Sequence, residues 1–325
     1  MNLLEHFKDK KIFQWSHNDL DGVGAIIVGK YFVGPISSKF EQFSADRDDI
    51  EACDHTTLSE YDIILFTDIT PTKELYNNLI EQGQEVLVFD HHISAYTDLM
   101  NTIPEEKYIY AIDRCGTQIF FDSLNEGRRT SKCIYQFVEL VNTYDLWQEN
   151  SALWNEGKAL HNILWGSVNW GATDNMTKYN KFIENQLDKF YKGKIFYFTQ
   201  YEDRLIKSAL NKEKENLAFA KKNIEFRTDG EGNNYAYFEC TSKLSIIANM
   251  ILKEYNQLDY VVCHSTFKDR SGVLEPSVSL RSPGTMDVSL IAQIYECGGH
   301  KQASGISFKD HEFFLKFRKG EVHLI

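Results

Sequence analysis

No stretch of this sequence approaches the roughly 18 to 20 uninterrupted apolar residues that a membrane-crossing helix needs, so a soluble protein without a membrane partner is expected. The first residues, MNLLEHFKDKKIF, lack the hydrophobic segment of a secretory signal, and the expected location is the cytoplasm. Cysteine is scattered. The thiols at 53, 115, 133, 240, 263 and 297 include no CxxC pair, which argues against both a zinc ribbon and a disulfide framework. They are read as reduced thiols of a cytosolic protein.

Positive charge is the other shortage. The net charge is −12, which on its own argues against a polyanionic partner. Its distribution says more: Lys plus Arg against Asp plus Glu is 13 to 28 over residues 1–177, 11 to 6 over 178–222, and 11 to 13 over 223–325. The first half is strongly acidic and the middle basic. Surplus carboxylates either keep a protein soluble or are offset by bound divalent cations, and their positions decide which.

At 325 residues, with 42% hydrophobic and 25% charged side chains, the chain is long enough for two globular domains. KIFQWSH, YDIILFTD, QEVLVFDHH and YIYAID read as strands, and between and beyond them DGVGAIIVGKYFVG, TPTKELYNNLIEQG, GTQIFFDSLNEG and TSKCIYQFVELVNTYD read as helices. This alternation predicts an α/β fold, a mostly parallel doubly wound sheet with helices on both faces. Ligands of such sheets sit beyond the carboxyl ends of the strands.

The acidic residues fall at those ends. Strand one runs into Ser16-His17-Asn18-Asp19-Leu20-Asp21-Gly22, the next apolar run into Asp68, and the third into Asp90-His91-His92. Converging there, bare carboxylates repel one another unless cations stand between them. Asp and His without thiolates suit Mn2+ or Mg2+, and a pair of such ions activates water for attack on a phosphoester. An Asx-rich turn capping the next helix is the competing use of His17, Asp19 and Asp21, a helix cap that of Asp68. Asp113 and Asp122 lie in the same stretch as Asp145.

These residues resemble the DHH phosphoesterase superfamily, named for the Asp-His-His tripeptide. HNDLDG at 17–22 is similar to its first motif, Asp68 to its second, DHH at 90–92 to its third and Asp145 in VNTYDLW to its fourth. SLRSPGTMDVSLIAQIYECGGHKQASG, 279–305, resembles the family's DHH-associated domain, whose GGH motif contacts nucleotides. The resemblance implies that His17, Asp19 and Asp68 hold one ion and Asp21, Asp68, His91 and Asp145 a second, Asp68 bridging. It implies that Asp90 orients an imidazole and His92 faces the substrate phosphate, and that Gly298, Gly299 and His300 bind substrate.

The expected organisation is a catalytic domain over 1–177, a helical linker over 178–223 and a smaller α/β substrate-binding domain over 224–325. Arg281, after a strand, offers a planar fork for phosphate, and glycines 298 and 299 let backbone amides approach an anion. Trp147, Trp154, Trp165 and Trp170 are read chiefly as core, stacking on bases being their other use. The expected activity is Mn2+-dependent hydrolysis of short oligonucleotides to mononucleotides, similar to the nano-RNases of the superfamily. A single-strand exonuclease, a 3′,5′-bisphosphate nucleotidase and a cyclic-dinucleotide phosphodiesterase keep the chemistry and change the substrate. A non-catalytic nucleotide sensor is the alternative of a different class. Oligomeric state stays open, a homodimer among the options.

Overall fold

Ile63, Ile64, Leu65 and Phe66 are apolar without alternation, a pattern that suits a strand covered on both faces. The computed structural model, which describes every residue except 1, 47–48, 51–52, 54, 127–129, 173–174, 194–195, 269–273 and 309–310, places them so. The chain divides into two units, 1–206 and 207–325. In the first, β1 (Lys11–Ser16), β2 (Lys39–Ser44), β3 (Ile63–Thr67), β4 (Glu85–Asp90) and β5 (Tyr108–Tyr110) form one sheet in the order β2-β1-β3-β4-β5. Every neighbouring pair is parallel.

Among the described residues, this unit's α-helices up to residue 191 are α1 (Leu3–Phe7), α2 (Leu20–Phe32), α3 (Lys73–Glu81), α4 (Ile93–Leu99), α5 (Gly116–Asn125), α6 (Lys132–Asp145), α7 (Trp154–Ser167) and α8 (Asn175–Tyr191). Successive strand residues feed opposite cores. Ile63, Leu65, Leu87 and Phe89 pack with Ile26 of α2, Phe120 of α5 and Phe137 of α6. Ile64, Phe66, Val86 and Val88 pack with Leu75 and Leu79 of α3 and Leu99 of α4. The doubly wound sheet expected from the sequence is therefore the observed one.

Strand β2, KFEQFS, was not among the expected strands. Its two aromatics, Phe40 and Phe43, are separated by Glu41 and Gln42 and so break the period-two pattern of a half-buried strand, and it lies mostly half-exposed at the sheet edge. The stretch read as a linker from its charge, 178–223, behaves in two ways. Helix α8 buries Tyr179, Phe182, Ile183 and Phe190, spaced as one helical face, in the core of the first unit. Helix α9 (Gln200–Asn223) carries the chain across the division at 206.

The second unit holds β6 (Glu225–Thr228), β7 (Asn234–Glu239), β8 (Tyr260–Lys268), β9 (Leu274–Arg281), β10 (Gly299–His300) and β11 (Ala303–Ser307), in the order β10-β11-β9-β8-β7-β6. Only β7 and β8 pair in parallel among these strands. Phe238 and Val261 pack with Ile247 and Ile251 of α10 (Leu244–Glu254). On the other face, Tyr235, Val262 and Leu280 pack with Ile291 of α11 (Val288–Ile294) and Phe317 of α12 (His311–Arg318). Among the described residues no helix is long and apolar enough to cross a membrane.

An ion pair of the first unit, between Lys189 and Glu202, is fully buried. Lys189 of α8 donates to both carboxylate oxygens of Glu202 at 2.8 and 3.0 Å, with the two side chains 2% and 1% exposed. Removing one partner leaves a charge with neither water nor a counter-ion, so Glu202→Ala is expected to destabilise the fold by about 3–5 kcal/mol. Lys189→Met combined with Glu202→Leu is expected to recover most of that loss, and thermal and urea unfolding of both variants checks it.

Candidate metal centre

Parallel register brings the strand ends side by side: Ser16 is opposite Thr67, and Thr67 opposite Phe89. The Ser16 hydroxyl shares its one proton between the Gly22 carbonyl at 2.7 Å and the Thr67 carbonyl at 2.9 Å, tying the first acidic loop to its neighbour strand. That loop turns at once into α2, capped by Asp19, whose Oδ1 accepts from the Gly22 amide at 3.0 Å. A side chain at Gly22 would begin 2.0 Å from the His17 carbonyl oxygen, so the turn needs glycine. Capping and ligand supply are compatible at Asp19, because the cap uses Oδ1 while Oδ2 stands 3.1 Å from His17 Nδ1.

Asp21 is aimed by the start of α5, a helix distant from it in sequence. The backbone amides of Gly116 and Thr117, at the start of α5, donate to Oδ2 and Oδ1 of its buried carboxylate at 2.6 and 2.8 Å. Gly116 is also needed for space, since a Cβ there would lie 2.6 Å from the Asp68 Cβ.

Asp68 leaves β3 in the left-handed conformation, φ 57°, which residues other than glycine rarely adopt. Its carboxylate, 1% exposed, turns one oxygen to each half of the cluster: Oδ1 is 3.4 Å from His91 Nε2, and Oδ2 is 3.7 Å from His17 Nδ1. His91 Nε2 also stands 3.5 Å from Asp145 Oδ2 and 3.9 Å from Asp21 Oδ2. Two sets of donor atoms suited to a cation result, His17 with Asp19 and Asp68, and Asp21 with His91 and Asp145. A third set, Asp68, Asp90, His91 and His92, overlaps both. Thr72 caps α3, so Asp68 is not its cap.

The charges are unevenly met. Burial, with Asp21, Asp19, Asp145 and Asp90 close by, holds the Asp68 carboxyl well above the usual carboxylate range. Burial and the neighbouring Asp21 and Asp19 raise Asp145 likewise. For His17 burial presses downward, but Asp19, Asp46 and Asp21 outweigh it and bring the imidazole to about 9. For His92, too, burial presses downward, and its bond to Asp90 is the main influence that carries it to about 9. Asp68 Oδ2 and Asp145 Oδ2 are buried without a hydrogen-bond partner. Buried acceptors left unsatisfied beside raised carboxyls are the setting that a divalent cation relieves, and oxygen with imidazole nitrogen is a fitting donor set.

Asp90 holds the turn out of β4. Its Oδ1 accepts from the His91 amide at 2.8 Å and contacts His92 Nδ1 at 2.7 Å, while the Thr70 hydroxyl donates to Oδ2. A cavity of about 400 Å³ opens here, lined by His17, Asp68, Thr70, Lys73, Asp90 and His92. Of the acids that competed for the fourth motif, Asp113 is 81% exposed and Asp122 pairs with Arg114 at 3.0 Å, both outside the cluster. Residues missed in the sequence are Asp46, 3.8 Å from His17 Nε2, Thr70, Lys73 and the α5 amides. The Gly-Thr before an apolar helical run was the available signal for the last of these.

In the second unit Arg281, Gly298 and Gly299 line one cavity of about 400 Å³, with Ser245, Ser279 and Ser304. The Arg281 guanidinium donates to the Ser245 hydroxyl at 2.6 Å and to the Leu280 carbonyl at 2.7 Å. His300 follows in the β10–β11 hairpin, exposed and outside the cavity lining. The glycines thus lie at a hairpin strand.

No family model matches the chain. It is 25% identical over 313 residues to the oligoribonuclease NrnB of Bacillus subtilis (strain 168), covering 93% of this chain and 74% of that one. Its fold is similar to the DHH domain of a member of a family of ribosomal proteins, with TM-score 0.61, 12% identity and coverage of 97% and 87%. It is similar also to RecJ from Thermus thermophilus, solved with Mn2+, with TM-score 0.57 and 17% identity, 98% of this chain matching 52% of RecJ.

Relieving the carboxylate repulsion without a cation should show as stability. In EDTA at pH 8, Asp68→Asn is expected to melt about 2–4 °C above the unsubstituted chain, the shift that about 1 kcal/mol makes in a unit of this size. Added Mn2+ should raise the melting temperature of the unsubstituted chain and leave that of the variant in place; differential scanning calorimetry reads both.

Proposed function

We propose that this member of the DHH phosphoesterase superfamily is a metal-dependent phosphodiesterase that hydrolyses short oligonucleotides to mononucleotides. The observation that carries this is Asp68, buried between two donor sets with one oxygen toward each. His17, Asp19 and Asp68 would hold one divalent ion, and Asp21, His91 and Asp145, with Asp68 again, the other. Ions so placed acidify water and neutralise charge building on phosphoryl oxygens. Mn2+ is the proposed working ion and Mg2+ the second choice, in keeping with the absence of thiolates from the cluster.

The protein's own groups do the positioning. The α5 amides hold the Asp21 carboxylate in place. Asp90 clamps His92 through Nδ1, and from its opposite ring edge His92 donates to the oxygens of the phosphate in the cavity it lines. In the proposed organisation, residues from about 224 onward bind substrate, the guanidinium of Arg281 and the amides around Gly298, Gly299 and His300 taking a terminal phosphate. Likeness to an oligoribonuclease along 93% of the chain supports short strands as substrates.

Labelled dinucleotides, five-mers, longer single strands, adenosine 3′,5′-bisphosphate, cyclic dinucleotides and pyrophosphate, each offered with Mn2+, test the assignment. Turnover is expected to be fastest on the strands of two to five nucleotides. A preference for strands tens of nucleotides long would replace it with an exonuclease, and no turnover on any of them, with or without Mn2+, would leave a nucleotide sensor. Asp68→Ala should abolish turnover with the circular dichroism spectrum unchanged. Asp90→Asn, which loosens His92 without removing a donor atom from His17, Asp19 or Asp21, should cost about 10- to 100-fold in activity.

A further inference from the structure

Of the four tryptophans expected chiefly in the core, Trp165 packs half-buried against the core of the first unit, Trp147 and Trp154 are half-buried, and Trp170 is exposed. They join with Tyr144 and His161 into one continuous strip of rings. Trp147 meets Trp154 edge-on at 5.0 Å, Trp154 stacks on Tyr144 at 5.5 Å, and Tyr144 stacks on His161 at 4.5 Å. His161 meets Trp165 at 6.2 Å, and Trp165 stacks on Trp170 at 6.1 Å with only 15° between the planes. The spacing 154, 161, 165 puts three of the rings along one side of α7. Trp170, at the end, is 72% exposed.

Two connections tie this strip to the metal-ligand cluster. Tyr144 immediately precedes Asp145, whose carboxylate stands 3.5 Å from His91. At the other end the Asn169 amide donates to the Lys178 carbonyl at 3.0 Å, and the next residue, Tyr179, donates its hydroxyl to the Asn18 carbonyl at 3.1 Å, between His17 and Asp19. Of these rings Trp170 is open to solvent and the other five are half-buried. The segment carrying Trp147 and Trp154 also carries Glu149 and Glu156, which disfavour phosphate there and leave the bases as the part of a strand that fits.

We propose that this strip is a stacking platform for the unpaired bases of a single-stranded oligonucleotide whose phosphates lie at the neighbouring carboxylate cluster, an inference that rests on the proposed function and adds a subsite to it. Flat rings without directed hydrogen bonds accept any base face, so the platform holds strands with little regard to sequence. It prefers bases stripped of their pairing partners.

The test is fluorescence anisotropy of an end-labelled five-nucleotide strand, in EDTA so that nothing is cleaved, with the full chain. Trp170→Ala and Trp154→Ala are each expected to weaken binding about tenfold, in the range of one lost base stack. Trp170→Phe, which keeps a ring, is expected to retain most of the affinity. An abasic strand of equal length should bind the unsubstituted chain about tenfold more weakly than the strand with bases. Unchanged affinity in both alanine variants, or equal affinity for the abasic strand, overturns the platform. Cleavage of the same strand by the unsubstituted chain in Mn2+ is scored separately: base-dependent binding without cleavage sinks the hydrolase and spares the platform, whereas cleavage with unchanged binding in the variants does the reverse.

Discussion

Asp19, Asp21, Asp68, Asp90 and Asp145 crowd one edge of a parallel sheet, and most of the local structure follows from how their repulsion is met. Asp21 is answered by two helix-start amides, Asp90 by Thr70, by backbone amides and by His92, and Asp19 by His17 and its own cap. Asp68 and Asp145 keep a buried oxygen unanswered. Asp145 is also the last residue of α6, where the negative pole of the helix disfavours an anion. A fold that solves three of these problems with its own groups and leaves two open at adjoining positions is arranged for something positive from outside.

The backbone bears the same imprint. Asp68 accepts an unfavourable left-handed conformation, and Gly116 gives up any side chain so that α5 can approach it. The two features belong together: the turn at Asp68 points its carboxylate inward, and the amides of α5 come near enough to hold Asp21 only because no Cβ intervenes. Strain at 68 and bareness at 116 cost stability, and both serve the placement of carboxylate oxygens. Neither has a use in a sheet edge that only caps helices.

Much of this was legible in the sequence because burial and chemistry shared a pattern there. Each of three apolar runs ended in acid or imidazole, and parallel strands covered on both faces put those ends together. The signal failed where one property masked another. In KFEQFS, the adjacent Glu41 and Gln42 broke the alternation and hid an edge strand; in 178–191, surface lysines hid the apolar face of Tyr179, Phe182, Ile183 and Phe190. The Gly299–His300 strand is two residues long and carries no apolar pattern at all. The partners of Asp21 lie 95 and 96 residues away, and a backbone amide leaves no mark on a sequence.

A chain of net charge −12 is an unpromising host for a polyanion, and the proposed division of labour resolves the conflict. Affinity built on phosphate contacts needs many lysines and arginines and weakens steeply with salt. Affinity built on stacking needs neither, because the contact is with uncharged base faces. The acidic residues can then be concentrated where cations belong, while the rings beside Asp145 grip the strand without adding positive charge that would compete with the metals for those carboxylates. A binding surface rich in lysine at the same place would satisfy Asp68 and Asp145 directly and remove the reason for a cation to bind.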